Sequence, residues 1–335
     1  MKFLSLLASC SLFLLVISCS TDFEIEADWK DIPVVYGLLS LQDTAHYIRV
    51  EKAFLEPGGD ATKIAKIADS LYYDSKVLVQ LQRVSNGQTF TLQRVDGALE
   101  GYPRADGPFS TTPNILYKIN ASDIQLKANE EIKLIINLGD AKEAVTAQTT
   151  ILGNIIPREN SPSTPLNLGY DRTISFTWDA SPAAKVFDLR LVMHYRESLP
   201  GSTTDFKNKT VTWVLSDQLE REDETSQRVS YSIQGEAFYK FLQANLTPVS
   251  DRIRKFDTID ILITGAGAEV LEQIRISQAN TGVTSSQAIP IYTNLSEGRG
   301  IFSSKSTAIR PGLTLNNVSQ DSLQNGTYTR NLNFR

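Results

Sequence analysis

"EIKLIINL", residues 131–138, decides the fold class. Ile132, Leu134, Ile136 and Leu138 fall on one face, and alternation over that length is the period of a strand with one buried side. The same period recurs upstream. "KVLVQLQ" (76–82) aligns Val77, Val79 and Leu81, and "HYIRV" (46–50) aligns His46, Ile48 and Val50. Turn clusters separate these runs: "EPGGD" at 56–60, "SNGQ" at 85–88 and "YPRADGP" at 102–108. Only Thr62 to Leu71, with Ile64, Ile67 and Leu71 at helical spacing, reads as a helix. Residues 32–152 therefore predict a β-sandwich with one short helix.

Downstream, "IPRENSPSTPLNLG" (156–169) carries three prolines, so residues 153–169 read as a linker. The strand period then resumes. Ile174, Phe176 and Trp178 alternate, as do Phe187, Leu189, Leu191, Met193 and Tyr195, and then Val211, Trp213 and Leu215. The charged run Glu220 to Glu224 predicts a solvated loop. Phe238, Phe241, Leu242 and Asn245 stand at i, i+3, i+4 and i+7, which predicts a helix over 234–246 packed by its Phe238-Phe241-Leu242 face. Pro248 precedes a strand, "DTIDILITG", and a second helix is expected from Ala268 to Gln278.

The stretch "SFTWDASPAAKVFDLRL" (175–191) resembles the B and C strands of a fibronectin type III domain, with Trp178 as the core tryptophan and Phe187 in place of the usual tyrosine. The expected fold is thus mainly β: two β-sandwich (Ig/fibronectin III-like) domains, 32–152 and 170–310, with one or two accessory helices and a tail at 311–335.

The N-terminus speaks to location. Lys2 precedes an apolar run from Phe3 to Ile17, which is shorter than the roughly 20 residues a membrane-crossing helix needs. A basic start, a short apolar region and a small residue at the break describe a secretory signal. The break, Val16-Ile17-Ser18-Cys19, resembles a bacterial lipobox. Residues 1–18 are then a signal peptide, cleavage falls between Ser18 and Cys19, and Cys19 is the lipidated first residue. The alternative is an ordinary cleaved signal with Cys19 a plain thiol. Asp22, Glu24, Glu26 and Asp28 make residues 19–31 an acidic tether, or a first edge strand. Two acyl chains anchor a protein stably, so the expected membrane attachment is the lipid alone.

The chain has only two cysteines, Cys10 within the signal and Cys19 at its end. An exported fold without disulfides must rest on a hydrophobic core, and 41% hydrophobic residues supply one. The formal charge of -5 becomes -6 when Lys2 leaves with the signal. That balance, with scattered rather than clustered Lys and Arg, argues against nucleic acid as a partner.

No segment assembles a strong catalytic or metal motif. "DILITGAGAEVLEQI" has a strand, Gly265-Ala266-Gly267 and a helix, but Val270 stands where a dinucleotide-binding turn has its third glycine, and no acidic residue follows at the required distance. "SEGRGIFSS" (296–304) lacks the spacing of a phosphate loop. His46 shares a face with Ile48 and Val50 and is expected in the core or at an edge, hydrogen-bonded; His194 is expected to point outward. Two histidines in separate predicted domains and no free thiolate make a zinc site an unfavoured reading. Asp179, Asp188 and Asp260 alternate with apolar strand residues and are expected on exposed faces. A carboxylate pair for glycoside hydrolysis is recognised by geometry, not by letters. Tyr72 and Tyr73 are candidate exposed rings for stacking on a sugar or peptide.

"AIPIYTNLSEGRGIFSSKS" (288–306), the helix "GEAFYKFLQANL" and "IPVVYGLLSLQDTAHYIRVEKAF" together are similar to a family of Bacteroidetes-type outer-membrane lipoproteins of uncharacterised function. The late segment N-x-x-x-G-x-G-[IVF]-F is Asn294, Gly298, Gly300, Ile301 and Phe302 here. The resemblance spans most of residues 32 to about 308 and departs in the insert "RESLPGSTTDFKNK" and after Pro311. It implies a TonB-dependent outer-membrane transporter as partner and a periplasmic or cell-surface face, and it gives no catalytic residue to carry over; from the motifs themselves no cofactor is expected. Four Asp-[Ser/Thr]-apolar triplets are similar to O-glycosylation sites of such bacteria, which marks Thr44, Ser70, Thr258 and Ser322. The expected function is a lipid-anchored binding protein accessory to a transporter. The alternatives are a surface glycan hydrolase, with carboxylates brought together by loops, and a structural or adhesive surface protein.

Overall fold

The computed structural model of the chain describes residues 32–53, 60–139, 143–279 and 291–335. The signal, Ser18, Cys19 and the acidic tether lie outside them, as does most of the expected turn at 56–60.

The protein is mainly β, with three sheets, none closed into a barrel. The first half supplies β1 (Ile32–Leu39), β2 (Ala45–Ala53), β3 (Leu78–Arg83), β4 (Thr89–Thr91), β5 (Gln93–Asp96), β6 (Ile115–Asn120), β7 (Glu131–Asn137) and β8 (Val145–Thr150). The second half supplies β9 (Ile156–Pro157), β10 (Thr173–Asp179), β11 (Val186–Ser198), β12 (Phe206–Glu220), β13 (Arg228–Gln234), β14 (Arg254–Ala266) and β15 (Arg299–Leu313). Three short helices, α1 (Ala61–Ile64), α2 (Ala68–Leu71) and α3 (Ala121–Ile124), precede three longer ones, α4 (Gly235–Asn245), α5 (Ala268–Ala279) and α6 (Asn317–Asn325).

One sheet of eight strands runs β12-β11-β14-β15-β1-β2-β6-β5 and so draws on both halves of the chain. Strand β15 makes the join. Its first part, Arg299 to Ser304, pairs in parallel with Val34 to Leu39 of β1. Its second part, Lys305 to Leu313, pairs antiparallel with β14. The smaller sheets are β4-β3-β7-β8 and β13-β10-β9. One core lies between β4-β3-β7-β8 and the β1-β2-β6 end of the long sheet, built on Val35, Ile48, Val79, Leu81, Leu134 and Phe302. The other lies between β13-β10-β9 and the β11-β14 end, built on Phe176, Trp178, Phe187, Leu191, Ile261 and Leu242. The alternating residues that predicted strands are the ones that fill these cores: Ile132, Leu134 and Ile136 are fully buried. Trp178 is also fully buried, edge-on to Phe187 with ring centres 5.4 Å apart.

Several expectations are revised. Residues 62–71 form two separate turns of helix, α1 and α2, instead of one helix. Asp60 caps the first by accepting from the Thr62 and Lys63 N–H groups at 3.0 and 3.3 Å. Between the two, Ile67 is extended and more than half exposed, because the chain buries Ala65 and Leu71 instead of an Ile64-Ile67-Leu71 stripe. Residues 153–169 do not behave as a linker: Ile155, Leu166 and Leu168 belong to the second core, and β9 pairs with β10. The Ile155 N–H donates to Ser306 Oγ of β15 at 3.2 Å. Residues 311–335 are not a tail either, since Leu313, Leu315, Leu323, Leu332 and Phe334 enter that same core.

Helix α4 matches its sequence reading closely. Phe238 and Leu242 are buried together with Tyr239, and Phe241 stacks on Trp213 at 5.1 Å. The charge run at 220–224 hides a buried residue. The Arg221 guanidinium donates to the carbonyls of Ala180, Ser181, Ala184 and Ser226 and lies over the Phe187 ring at 5.5 Å. Burial pulls its pKa down, with Asp223 and Glu224 opposing.

Candidate functional site

The outer face of the long sheet at its β1-β2-β6 end carries side chains that no layer covers among the described residues. Strand β1 buries Val35, Gly37 and Leu39 and therefore turns Tyr36 and Leu38 outward, 49% and 44% exposed. The register places Arg49 beside Tyr36 and Lys118 beside Tyr47. A loop after β5 adds Tyr102, 55% exposed, whose ring tilts against Tyr47 with centres 4.9 Å apart. That loop is fixed from beneath. Buried Asn114 donates to the Tyr102 carbonyl at 2.7 Å, and the Tyr102 N–H donates to Gly97 at 2.7 Å.

Charge is arranged around these rings. Glu100 accepts from Lys118 Nζ at 2.6 Å and from the Tyr47 hydroxyl at 3.0 Å. Lys118 first, then Tyr47, hold the Glu100 carboxyl below the usual range, while burial and the Glu100 carboxylate push the Tyr47 phenol up. Buried Glu51 fixes Arg49 by accepting from it at 2.7 Å, and takes Arg104 through two further bonds at 2.8 and 3.2 Å. Gln42 closes the rim: its side chain accepts from the Thr307 N–H at 3.0 Å and donates to the Thr307 carbonyl at 2.8 Å. The result is an open depression of about 570 Å³ lined by Tyr36, Leu38, Gln42, Tyr47, Tyr102 and Lys305, among others. Flat rings beside fixed cations and an amide suit non-covalent recognition of a partner that presents both apolar surface and hydrogen-bond acceptors.

The residues flagged in the sequence fall elsewhere, except Thr44, which is exposed on the rim of this depression. Tyr72 and Tyr73, expected to be exposed, are buried in the first core. His46 is buried as expected, but neither ring nitrogen has a hydrogen-bond partner among the described residues. Burial lowers its pKa against the pull of Asp43. His194 does face outward, with Nε2 at 2.9 Å from Asp260 Oδ2; the other Asp260 oxygen accepts from the Gly312 N–H at 2.8 Å. Asp179 and Asp188 are half-buried partners of Arg158 and Arg190. Ser70 and Ser322 sit in α2 and α6, and Thr258 lies within β14.

Both glycine loops have structural explanations. β14 is antiparallel to each of its neighbours, so Gly265-Ala266-Gly267 does not open a βαβ unit; Gly267 donates to the Ser304 carbonyl, and Ser303 donates to Glu269 at 2.7 Å. Gly298 and Gly300 have φ of +108° and +111°, and a Cβ on Gly300 would stand 1.9 Å from the Val35 carbonyl oxygen. Those glycines let β15 lie against β1. Among the described residues no three or more His, Cys, Asp or Glu side chains gather as metal ligands, and no helix is long and apolar enough to cross a membrane.

The tyrosine face was only half legible. Alternation in "HYIRV" turns Tyr47 and Arg49 outward, but "VVYGLL" is apolar on both faces and gives no such signal.

No protein-family model matches the chain, and no curated protein does. Among solved structures it is similar to the C-terminal globular domain of an oligosaccharyltransferase from Pyrococcus abyssi, at 10% identity and a TM-score of 0.20. That similarity covers 84% of this chain and 47% of the other, so the chain spans about half the length of the structure it matches. At that level the likeness carries no argument about fold or activity.

Proposed function

We propose that this chain is a lipid-anchored outer-membrane or cell-surface binding protein, accessory to a TonB-dependent transporter and built of two Ig/fibronectin III-like β-sandwich units. The lipobox-like Val16-Ile17-Ser18-Cys19 supports the anchor. The observation that carries the binding role is the uncovered cluster of Tyr36, Leu38 and Tyr102 beside Arg49 and Lys305. Interface centres are enriched in tyrosine and arginine, and single exposed apolar residues need no such neighbours. A sheet face of this kind binds without a catalytic group, which agrees with the lack of a strong catalytic motif in the sequence.

Extraction of the tagged protein from its own membranes in mild detergent should recover an outer-membrane barrel protein. Tyr36→Ala combined with Tyr102→Ala should reduce that recovery by roughly tenfold or more, two lost hot spots being worth at least that. Equal recovery with the double variant removes the face from the proposal, and recovery of no barrel with the unaltered chain removes the transporter. Cys19→Ala should abolish incorporation of a fatty-acid analogue; retained label would refute the anchor.

A further inference from the structure

Two cations stand on a diagonal across the tyrosine face. The register sets Arg49 of β2 directly across from Tyr36 of β1. On the other side it sets Ser304 of β15 across from Leu39, and Ser304 turns inward, its Oγ donating to the Thr150 carbonyl of β8 at 2.6 Å. Lys305, the next residue, therefore turns outward and lines the depression. Arg49 is level with Tyr36 and Lys305 with Ser40, so Leu38 lies midway between them. The two backbones are about 16 Å apart, two strand spacings across and four residues along.

Neither cation is fully compensated. Glu51 serves both Arg49 and Arg104, one carboxylate for two guanidinium groups. Half-buried Lys305 has no ion pair or side-chain hydrogen bond among the described residues. Lys118, by contrast, is neutralised by Glu100 at 2.6 Å. Asp43, in the turn before β2, is the one acid among the residues lining the depression, and it makes no ion pair with Lys305. The face is thus locally cationic on a chain of net charge -5. Its shape narrows the ligand further. A small-molecule pocket buries most of its ligand, whereas this depression lies open on a sheet, walled by the Tyr102 loop and the β1–β2 turn. A sugar needs a free aromatic face and free hydrogen-bonding groups. Tyr47 packs against Tyr102 at 4.9 Å, has Lys118 Nζ over its ring at 5.9 Å, and commits its hydroxyl to Glu100.

We infer that this face takes an extended acidic segment of a partner polypeptide, of the pattern [Asp/Glu]-x-apolar-x-[Asp/Glu]. In an extended chain, side chains two apart point the same way, and those four apart are separated by about 13 Å. The apolar side chain then rests on Leu38 and Tyr36, while the carboxylates at its two sides reach the long side chains of Arg49 and Lys305. Arginine holds a carboxylate through a planar fork, and Glu51 already orients Arg49 from within the sheet face. The inference rests on the binding role proposed for this face and adds the chemistry of the partner.

The probe is a fluorescent peptide, T-E-T-L-T-E-T, titrated by anisotropy against the full chain in mild detergent. Saturable binding is expected, weakened roughly fivefold or more when both glutamates become glutamine, since two ion pairs are lost. Added salt should weaken it as well. Lys305→Glu breaks no side-chain contact among the described residues; it should abolish binding of this peptide and restore it for a peptide with lysine in place of one glutamate. Which of the two positions restores binding gives the direction of the segment. Equal binding of the glutamine peptide, or no restoration by either lysine peptide, would overturn the inference. So would retention on phosphatidylglycerol vesicles, or self-association, that Lys305→Glu abolishes while no peptide binds. The binding role is judged separately by recovery of the barrel protein. If Tyr36→Ala with Tyr102→Ala lowers recovery and Lys305→Glu does not, the face stands and its acidic ligand falls; if neither lowers it, both fall.

Discussion

Asn294 uses its side-chain amide as a piece of backbone against Phe302: Nδ2 donates to the Phe302 carbonyl at 2.7 Å, and Oδ1 accepts from the Phe302 N–H at 3.0 Å. The same Nδ2 also reaches the Gln148 carbonyl of β8 at 3.2 Å. One residue thereby ties the start of β15 to the opposite sheet, and the glycines that follow let β15 approach β1. The N-x-x-x-G-x-G-I-F segment is a structural device for closing the first core.

Asn294→Ala leaves the backbone groups of Phe302 without this partner and should cost about 1–3 kcal/mol. Gly300→Ala is more severe, because its φ of +111° is strained for any side chain and its Cβ would meet the Val35 carbonyl oxygen at 1.9 Å. A loss of about 3 kcal/mol or more is expected. Urea titration measures both; a Gly300→Ala variant within about 1 kcal/mol of the parent would contradict the close approach.

Glu197 and Arg254 form a pair on β11 and β14, Nε to Oε2 at 2.8 Å, and Arg254 also donates to the Leu332 carbonyl at 3.1 Å. The arginine side chain is 4% exposed. Arg254→Met leaves the Glu197 carboxylate with Arg252 alone, at 3.2 Å, and removes a donor from the Leu332 carbonyl; it should cost about 3 kcal/mol, whereas adding Glu197→Leu should restore much of the loss. Burial opposes ionisation of Glu197, but Arg254 and Arg252 outweigh it and hold its pKa below 4.5. A carboxylate depressed on folding stabilises fully above its unfolded pKa. The contribution should therefore be constant above pH 4.5 and fade as pH falls through the lower folded value, a dependence that the double variant should lack.

His46 supplies a second acid sensitivity at a different pH. Its folded pKa is lowered from 6.5 by burial, so the unfolded chain takes up a proton first. Stability should fall as pH drops below 6.5, by at most about 1.4 kcal/mol per unit for a single proton. His46→Leu should flatten that slope without weakening the core, since neither ring nitrogen loses a bond. Melting temperatures across about pH 5 to 8 would show it; an identical slope in the variant would shift the effect to another group.

Arg221 shows how a charge can serve as scaffold. Arg221→Met would leave the buried carbonyls of Ala180, Ser181 and Ala184 without their donor, and about 3 kcal/mol should be lost. Arg221→Lys should recover only part, because one ammonium cannot reproduce the planar fork. Chemical denaturation separates the two variants; equal stability for both would mean that charge alone matters.

The outcome at each of these positions explains what the sequence can and cannot convey. Alternation reports which face a residue takes, and Ile132, Leu134, Phe176 and Trp178 took the faces their spacing implied. It does not report which strand lies alongside. The pairing of Val35 with Gly300 joins residues far apart in the chain, and nothing near either one encodes it. Composition misled where a local rule met a tertiary need. Prolines at 157, 162 and 165 suggested a loose linker, yet Leu166 and Leu168 are core residues. A run of five charges suggested solvent, yet Arg221 is buried. The tyrosine face needed three elements to converge, of which only β2 announced its orientation.

Strand β15 also sets an order of events. The first core is lined mainly by residues before 152 but takes Leu295 and Phe302 as well, so it stays open until those residues have been made. The second core waits on Leu313 to Phe334. Neither half can finish ahead of the other as the chain emerges, and long-range pairing of this kind is slow and exposes unpaired edges meanwhile. The segment that locks both halves is therefore made after most of the strands it joins.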